Sequence, residues 1–398
     1  MTRTDRPRRY GFVLLTYAFA AIMIGTTLPT PMYAVYAERM HFAVSTTTVI
    51  FATYAVGVLG ALLAFGRWSD AIGRRPVLLI GAAFALLSTV VFLFADDIPL
   101  LLIGRLLSGL SAGIFTGTAT AAVVEAAPPE QRGRAAVAAT VANVGGLGAG
   151  PLLAGLLVEY APRPLHTSFV VHILLVVLAV GAVLLAPETS ARTGRIGFQR
   201  LAVPAEVRQV FLTGATATFA GFAVLGLFSA VAPSFVAGVM GIDNHAIAGA
   251  VAGSLFIASA IVQPAARRIP AQRAVAIGCA FLVVGMLLLG AALHLSSLPG
   301  LIGAAAVAGI GQGISFSRGL ADVVELAPSG RRAEVSSTYF VVAYVGLSLP
   351  VVGAGLAIQH WGLRTAGVSF TIVITVLSAI CLAAIVVQER RAPVDVHA

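Results

Sequence analysis

The chain has 398 residues, 59% hydrophobic and only 10% charged, whereas a soluble domain carries roughly 25% charged residues. With a mean hydropathy of +0.97, this composition excludes the soluble classes and places the chain among polytopic membrane proteins. The formal net charge is +9 and all 25 basic residues are arginine; they cluster between apolar runs, which fits one basic membrane face and not a nucleic-acid surface.

Arg3 to Arg9 followed by an apolar run mimics a signal peptide. The run is too long, lacks a small-x-small cleavage site and is closely followed by a second, so it reads as a retained first helix. A membrane span needs about 20 apolar residues. Twelve stretches meet this, at about 11–36, 44–65, 77–95, 98–124, 135–158, 166–187, 209–236, 246–265, 274–294, 298–325, 335–358 and 364–387. With the amino terminus inside, the cytoplasmic segments hold 20 arginines and the outer segments three, Arg39, Arg163 and Arg364; that bias places both termini in the cytoplasm. Arg105 and Arg318 fall inside spans. Residues 188–208, opening on Pro187-Glu188-Thr189, form the longest internal loop, an amphipathic linker between a six-helix half at 1–187 and another at 209–398.

A shift of 200 residues superposes the halves without a gap. Gly109 falls on Gly309, Gly113 on Gly313, Val123-Val124-Glu125 on Val323-Val324-Glu325, Pro128 on Pro328, Arg132 on Arg332 and Gly155 on Gly355. Chance explains the apolar matches but poorly explains Glu, Pro and Arg in one register. The fold expected is all-α, twelve transmembrane helices in two pseudo-symmetric six-helix bundles.

Three motifs stand on this frame. Between the second and third spans lies Gly66-Arg-Trp-Ser-Asp70-Ala-Ile-Gly73-Arg74-Arg75-Pro76. Gly66 permits close helix approach, Asp70 suits a positive helix start, Gly73 serves a turn, and the arginines hold the inner face. Its counterpart, Gln263 to Arg273, keeps arginines but has no acid. In the fourth span lies Gly104-Arg105-Leu-Leu-Ser-Gly109. An arginine within a span costs a few kcal/mol or more unless paired or hydrated; Arg105 either faces the interior or snorkels to the outer headgroups. The fifth span carries Gly146-Leu-Gly-Ala-Gly150-Pro151-Leu-Leu-Ala154-Gly155, where Pro151 removes a backbone donor and bends the helix. These three motifs and the helix count together resemble the major facilitator superfamily, in particular its twelve-helix drug/proton antiporters.

The resemblance implies a conformational latch at Gly66, Asp70, Gly73, Arg74, Arg75, Glu125 and Arg132, with Asp70 docking across the seam between halves, near the start of the eleventh span. It implies coupling at Arg105, and a helix-bend motif at Gly146, Gly150, Pro151 and Gly155 that marks exporters. Arg318 and Asp322, one turn apart, read as a self-neutralising pair or as a coupling site. The resemblance places a central cavity on spans 1, 4, 7 and 10, with candidates Tyr17, Thr26, Tyr33, Thr116, Asn143, Phe219, Phe222, Gln312, Ser315 and Tyr344, whose polar but mostly neutral character suits a neutral or amphipathic solute. No span offers a carboxylate near its middle, a departure from many drug/proton exporters.

Cys279 and Cys381 lie in apolar runs and read as helix packers without a disulfide role. The seven histidines do not cluster, no Cys/His ligand spacing occurs, and without lysine no phosphate-binding Gly-x-x-x-x-Gly-Lys loop exists. No cofactor, metal or ATP-driven step is therefore expected, and no enzyme constellation is visible. The expected partners are a small organic substrate, protons and the lipid bilayer, not nucleic acid, for a monomer in the cytoplasmic membrane. The function expected is proton-coupled efflux; uptake or facilitated passage of a sugar-like metabolite, and a transporter-derived sensor or lipid-handling protein, are the alternatives.

Overall fold

The computed structural model describes residues 6–391, and among them no strand occurs. Twelve helical stretches are long and apolar enough to cross a membrane: Tyr10–Met40, Val44–Phe65, Arg74–Leu93, Ile98–Ala126, Pro129–Tyr160, Pro164–Leu185, Ala205–Ala230, His245–Ala266, Arg273–Leu295, Leu298–Leu326, Arg332–Trp361 and Leu363–Val387. These match the twelve expected spans in order. The third, fifth and eleventh start earlier than hydropathy indicates, because backbone hydrogen bonding continues into polar residues where apolarity stops. Apolar stripes face outwards, Leu174, Val177 and Leu178 on the sixth span and Ile372, Val373, Val376 and Ile380 on the twelfth. At three- and four-residue spacing they line one helix face, a surface suited to hydrocarbon and not to water.

The internal repeat has a physical basis. A Cβ on Gly109 would stand 2.1 Å from the carbonyl oxygen of Tyr54, and one on Gly309 would stand 2.2 Å from that of Leu255. The fourth span thus crosses the second, and the tenth crosses the eighth, at backbone contact that only glycine permits. The leading helix of each half is also interrupted by proline. The first span breaks after Thr27 into a short turn at Thr30–Met32, and the seventh breaks at Val231, two residues before Pro233.

The fifth span departs from a straight helix twice, at a π-helical turn over Val141–Gly145 and at Pro151. Pro151 has no N–H to offer the carbonyl of Leu147. The hydroxyl of Thr27, on the first span, donates to that carbonyl at 2.6 Å. Thr27→Val keeps the shape and leaves Leu147 without a donor, so a loss of about 1–3 kcal/mol is expected, read as a lowered melting temperature in detergent; Thr27→Ser should restore it.

The halves meet where the second span packs on the eleventh and the fifth on the eighth. These contacts are tightest away from the arginine-rich face: a Cβ on Gly355 would stand 2.1 Å from Thr48 Oγ1, and one on Gly155 2.5 Å from His245 O. The linker is extended from Pro187 to Pro204. It is tied to the first half by Gly194 N–H on Asp70 O and Gln199 N–H on Leu63 O, and to the second by Ala202 N–H on Thr338 Oγ1 at 3.0 Å. Cys279 and Cys381 are free and buried in one small packed cluster.

Candidate functional site

A cavity of about 920 Å³ lies between the halves, within the size range of sites for drug-sized ligands. Its wall runs from Thr116 to Glu125 on the fourth span, through Thr140 and Asn143 on the fifth, Gln263 and Arg267 on the eighth, Phe316 to Ala321 on the tenth, and Ser336 and Phe340 on the eleventh. These positions extend from mid-span to the arginine-rich ends, so the cavity opens on that face. Asn143 belongs to the π-helical turn, which widens the helix where it meets the cavity.

An aromatic chain leads inwards from this wall. Phe316 packs on Phe222 with ring centroids 5.1 Å apart, Phe222 on Tyr344 at 6.0 Å, and Tyr344 on Tyr54 across the seam at 6.3 Å. Tyr54 in turn faces Arg105. That arginine is only 1% exposed, so it does not snorkel. Its guanidinium carbon lies 5.0 Å from the ring of Tyr54, 5.3 Å from Phe51 and 5.8 Å from Tyr33, a cation–π cage. Nη1 donates to the carbonyl of Thr26 at 2.6 Å, and Nε has no partner. No carboxylate pairs with it among the described residues.

The 66–76 loop forms a second constellation on the arginine-rich face. Arg74 gathers it: Nη1 lies 2.7 Å from Asp70 and donates to Ser69 Oγ at 2.6 Å, while Nη2 and Nε donate to Glu125 at 2.9 and 3.1 Å. The hydroxyl of Thr189 donates to the same carboxylate at 2.7 Å. The positive start of the third span is held by Glu188, not by Asp70. The Glu188 carboxylate accepts from the N–H groups of Arg74 at 2.8 Å and Arg75 at 3.1 Å, and from those of Thr189 and Ser190 at 3.0 Å each. Gly73 has φ +113°, and a Cβ there would stand 2.5 Å from Glu188 Oε2, so both backbone and space require glycine. Arg75 donates to the carbonyl of Leu184.

Partial burial tends to raise the Glu188 pKa, but the four backbone donors outweigh it and hold the carboxyl below its ordinary value of 4.5. A depressed folded pKa contributes stability above the ordinary value that is lost as pH falls through the folded one. Glu188→Gln is expected to remove about 1 kcal/mol at pH 7 and to flatten the stability profile below about pH 4.5. Thermal unfolding between pH 7 and 3.5 checks both, and an unchanged acid limb would assign that limb to other carboxylates.

Several sequence-based expectations need correction. Asp70 does not reach the seam; it is paired with Arg74 within its own half. Glu125 takes Arg74, while Arg132 is exposed and joins no ion pair among the described residues. Arg318 and Asp322 do not pair within 4 Å, although they are one turn apart; Arg318 lines the cavity instead. Gly146 and Gly150 abut the first span at Ala20, Met23 and Thr27, whereas Gly155 abuts the eighth, beyond the seam.

Of the residues proposed for the cavity, Thr116 and Asn143 line it. Thr26 and Tyr33 belong to the Arg105 cage, and Phe222 and Tyr344 to the aromatic chain. Gln312 is one step behind the wall: it accepts from Ser259, which accepts from Gln263 at 3.1 Å. Tyr17 donates to Leu175 of the sixth span, Phe219 backs onto Gly346, and Ser315 packs on Gly278 of the ninth span; none of the three lines the cavity. The first and seventh spans supply no wall residue, since their interior faces are spent on Arg105 and on the aromatic chain.

Two residues escaped sequence reasoning. Glu188 was visible only as the start of a linker. Glu159, at the end of the fifth span, accepts the backbone N–H of His245 at 2.9 Å, at the N-terminus of the eighth. That contact joins the halves on the closed side and places a carboxylate on a positive helix end. His172 is a packed residue, buried with Nδ1 2.7 Å from Thr89 Oγ1 and Nε2 3.3 Å from Ala21 O.

The family model for the Major Facilitator Superfamily matches residues 13–349. The chain belongs to this superfamily. Among curated relatives, the "Multidrug resistance protein 2" of Bacillus subtilis is 25% identical over 159 residues, 39% of this chain and 40% of that protein. The "Putative multidrug resistance protein MdtD" of Escherichia coli is 27% identical over 248 residues, 60% of this chain and 51% of the relative. The chain thus spans about half or less of the length of these relatives. The crystal structure of the human organic anion transporter MFSD10 (TETRAN) matches with a TM-score of 0.68 at 18% identity, covering 94% of this chain and 99% of that one, a likeness of fold. The superfamily member is a multi-pass membrane protein, with twelve spans among the described residues.

Proposed function

We propose that this transporter is a proton-coupled exporter of small organic compounds that works by alternating access. The observation that carries the reading is Arg105: a buried cation without a carboxylate, joined by an aromatic chain to a cavity open on one face only. A charge held at such cost has a role beyond packing. In this reading the arginine-rich face is cytoplasmic by the positive-inside rule, both termini lie there, and the arrangement is inward-open. The halves are 1–187 and 209–398, joined by the 188–208 linker, and they rock as units about the cavity. Asp322, half-buried on the tenth span and without an ion-pair partner among the described residues, is the group we assign to carry the proton, with Arg318 beside it. The protein acts as a monomer in the cytoplasmic membrane and performs no catalysis. The multidrug-resistance names of the two relatives favour efflux of drug-like compounds.

The deciding experiment uses proteoliposomes with an imposed pH gradient and a fluorescent proton indicator, screened against a compound panel. Compound-triggered proton movement supports the reading. Substrate flux indifferent to the gradient points to facilitated passage, and the absence of both flux and proton movement points to a sensor or lipid-handling role.

A further inference from the structure

The cavity's charge is not what its sequence-based description as neutral implies. Among the described residues its wall carries three ionisable ones, Glu125, Arg267 and Arg318. Glu125 is fully engaged: Arg74 holds both carboxylate oxygens, and Thr189 adds a third hydrogen bond. The two arginines have no such partner. Neither makes an ion pair within 4 Å or appears as a side-chain donor among the described residues, and Arg318 Nε is buried with no hydrogen-bond partner. Asp322, on the same helix as Arg318, does not line the cavity. Phe316 and Phe340, ring centroids 5.8 Å apart, lie on the same wall as Arg318.

We infer that the cavity selects organic anions: amphiphiles with an aromatic or apolar body and one carboxylate or sulfonate head, which Arg318 binds while Arg267 at the mouth draws it in. This rests on the transport reading and names its substrate class. A guanidinium presents a planar fork that matches a two-oxygen head bidentately, and its buried Nε–H lacks the acceptor such a head supplies. In a cleft with low-dielectric walls, two arginines facing one committed carboxylate concentrate anions and raise their rate of entry. A cationic amphiphile meets the reverse: two arginines repel it, and the one carboxylate on the wall is already committed. The rings of Phe316 and Phe340 offer an apolar seat for the body.

The test compares two fluorescent probes of one shape, 4-(pyren-1-yl)butyrate and 4-(pyren-1-yl)butylammonium, by anisotropy titration of the full chain in dodecyl maltoside, with empty micelles subtracted. The butyrate is expected to bind about tenfold or more tighter than the ammonium, the effect of one charge-assisted hydrogen bond. Arg318→Gln should abolish that preference, Arg267→Gln should reduce it, and Arg318→Lys, which keeps the charge but loses the fork, should retain part of it. An unchanged melting temperature for Arg318→Gln separates lost recognition from lost fold, and if that variant melts early, the Lys and Arg267 variants carry the comparison. Parity between the probes, or a preference for the ammonium, overturns the anion class and leaves transport standing. Failure of both probes to bind overturns the proposal, while the transport reading stands or falls separately on the proteoliposome assay. A butyrate preference that survives Arg318→Gln assigns recognition elsewhere and also overturns it.

Discussion

Arg105→Ala is expected to bring gradient-driven transport in proteoliposomes down to the level of protein-free vesicles while leaving the melting temperature within a few degrees of the parent. The two effects separate for a physical reason. Burying a guanidinium costs several kcal/mol after relaxation, and this one recovers only a single hydrogen bond to Thr26 O and three ring contacts, each ring contact contributing roughly 0.5–2 kcal/mol. Losing the side chain removes both the contacts and the desolvation cost, so stability changes little. Function has no such compensation, because the charge at the inner end of the aromatic chain disappears. Arg105→Met, which preserves volume, should behave like Ala. Arg105→Lys should fail too, since an ammonium on a flexible stem does not reproduce the planar contact with Tyr33, Phe51 and Tyr54. Retained transport in the Met variant, with the fold intact, would make Arg105 a packing residue and remove the principal support for coupling.

The architecture was legible because it rests on apolar length and on glycine at fixed positions. Gly109 and Gly309 carried the repeat in the sequence, and in the structure they permit the same helix crossing in each half. The arginine bias marked the basic face, and that is the face on which the cavity opens. What was not legible was the direction each side chain takes. Spans that are apolar all round give no period from which to read a face, so Ser315 and Tyr17 were drawn to the cavity although they contact the ninth and sixth spans. The acids failed for a different reason. Asp70 and Glu188 lie 118 positions apart, and only the fold decides which of them meets the N-terminus of the third span. Asp70 is paired with Arg74, and among the described residues it makes no other ion pair.

Closure on the opposite face is the other half of such a cycle, and Gly155→Val is expected to break it. In the present arrangement a Cβ at position 155 would stand 2.5 Å from the carbonyl oxygen of His245 and 3.2 Å from the Cα atoms of Ala246 and Gly249. All three are backbone atoms of the eighth span and cannot rotate aside. Gly249 is as tight in return, with a Cβ there 2.2 Å from Pro151 O. Overpacking at a rigid contact costs roughly 1–3 kcal/mol or more. Inverting a 99:1 equilibrium takes about 5.5 kcal/mol, so the upper part of that range nearly equalises the two arrangements. The same wedge pulls Glu159 off the first turn of the eighth span, removing the hydrogen bond to His245 N–H that only the closed side makes. Nitroxides at Tyr160 and Asp243, both exposed and on opposite sides of this seam, report the separation by pulsed dipolar spectroscopy in nanodiscs. Cys279 and Cys381 are buried, which limits background labelling. The distance distribution should shift longer, turnover should fall, and Gly181→Val, where an added Cβ meets nothing within 4 Å, should alter neither. An unchanged distribution with normal turnover would mean that the seam yields to a side chain at 155, and that the glycine there serves helix packing without governing the alternation.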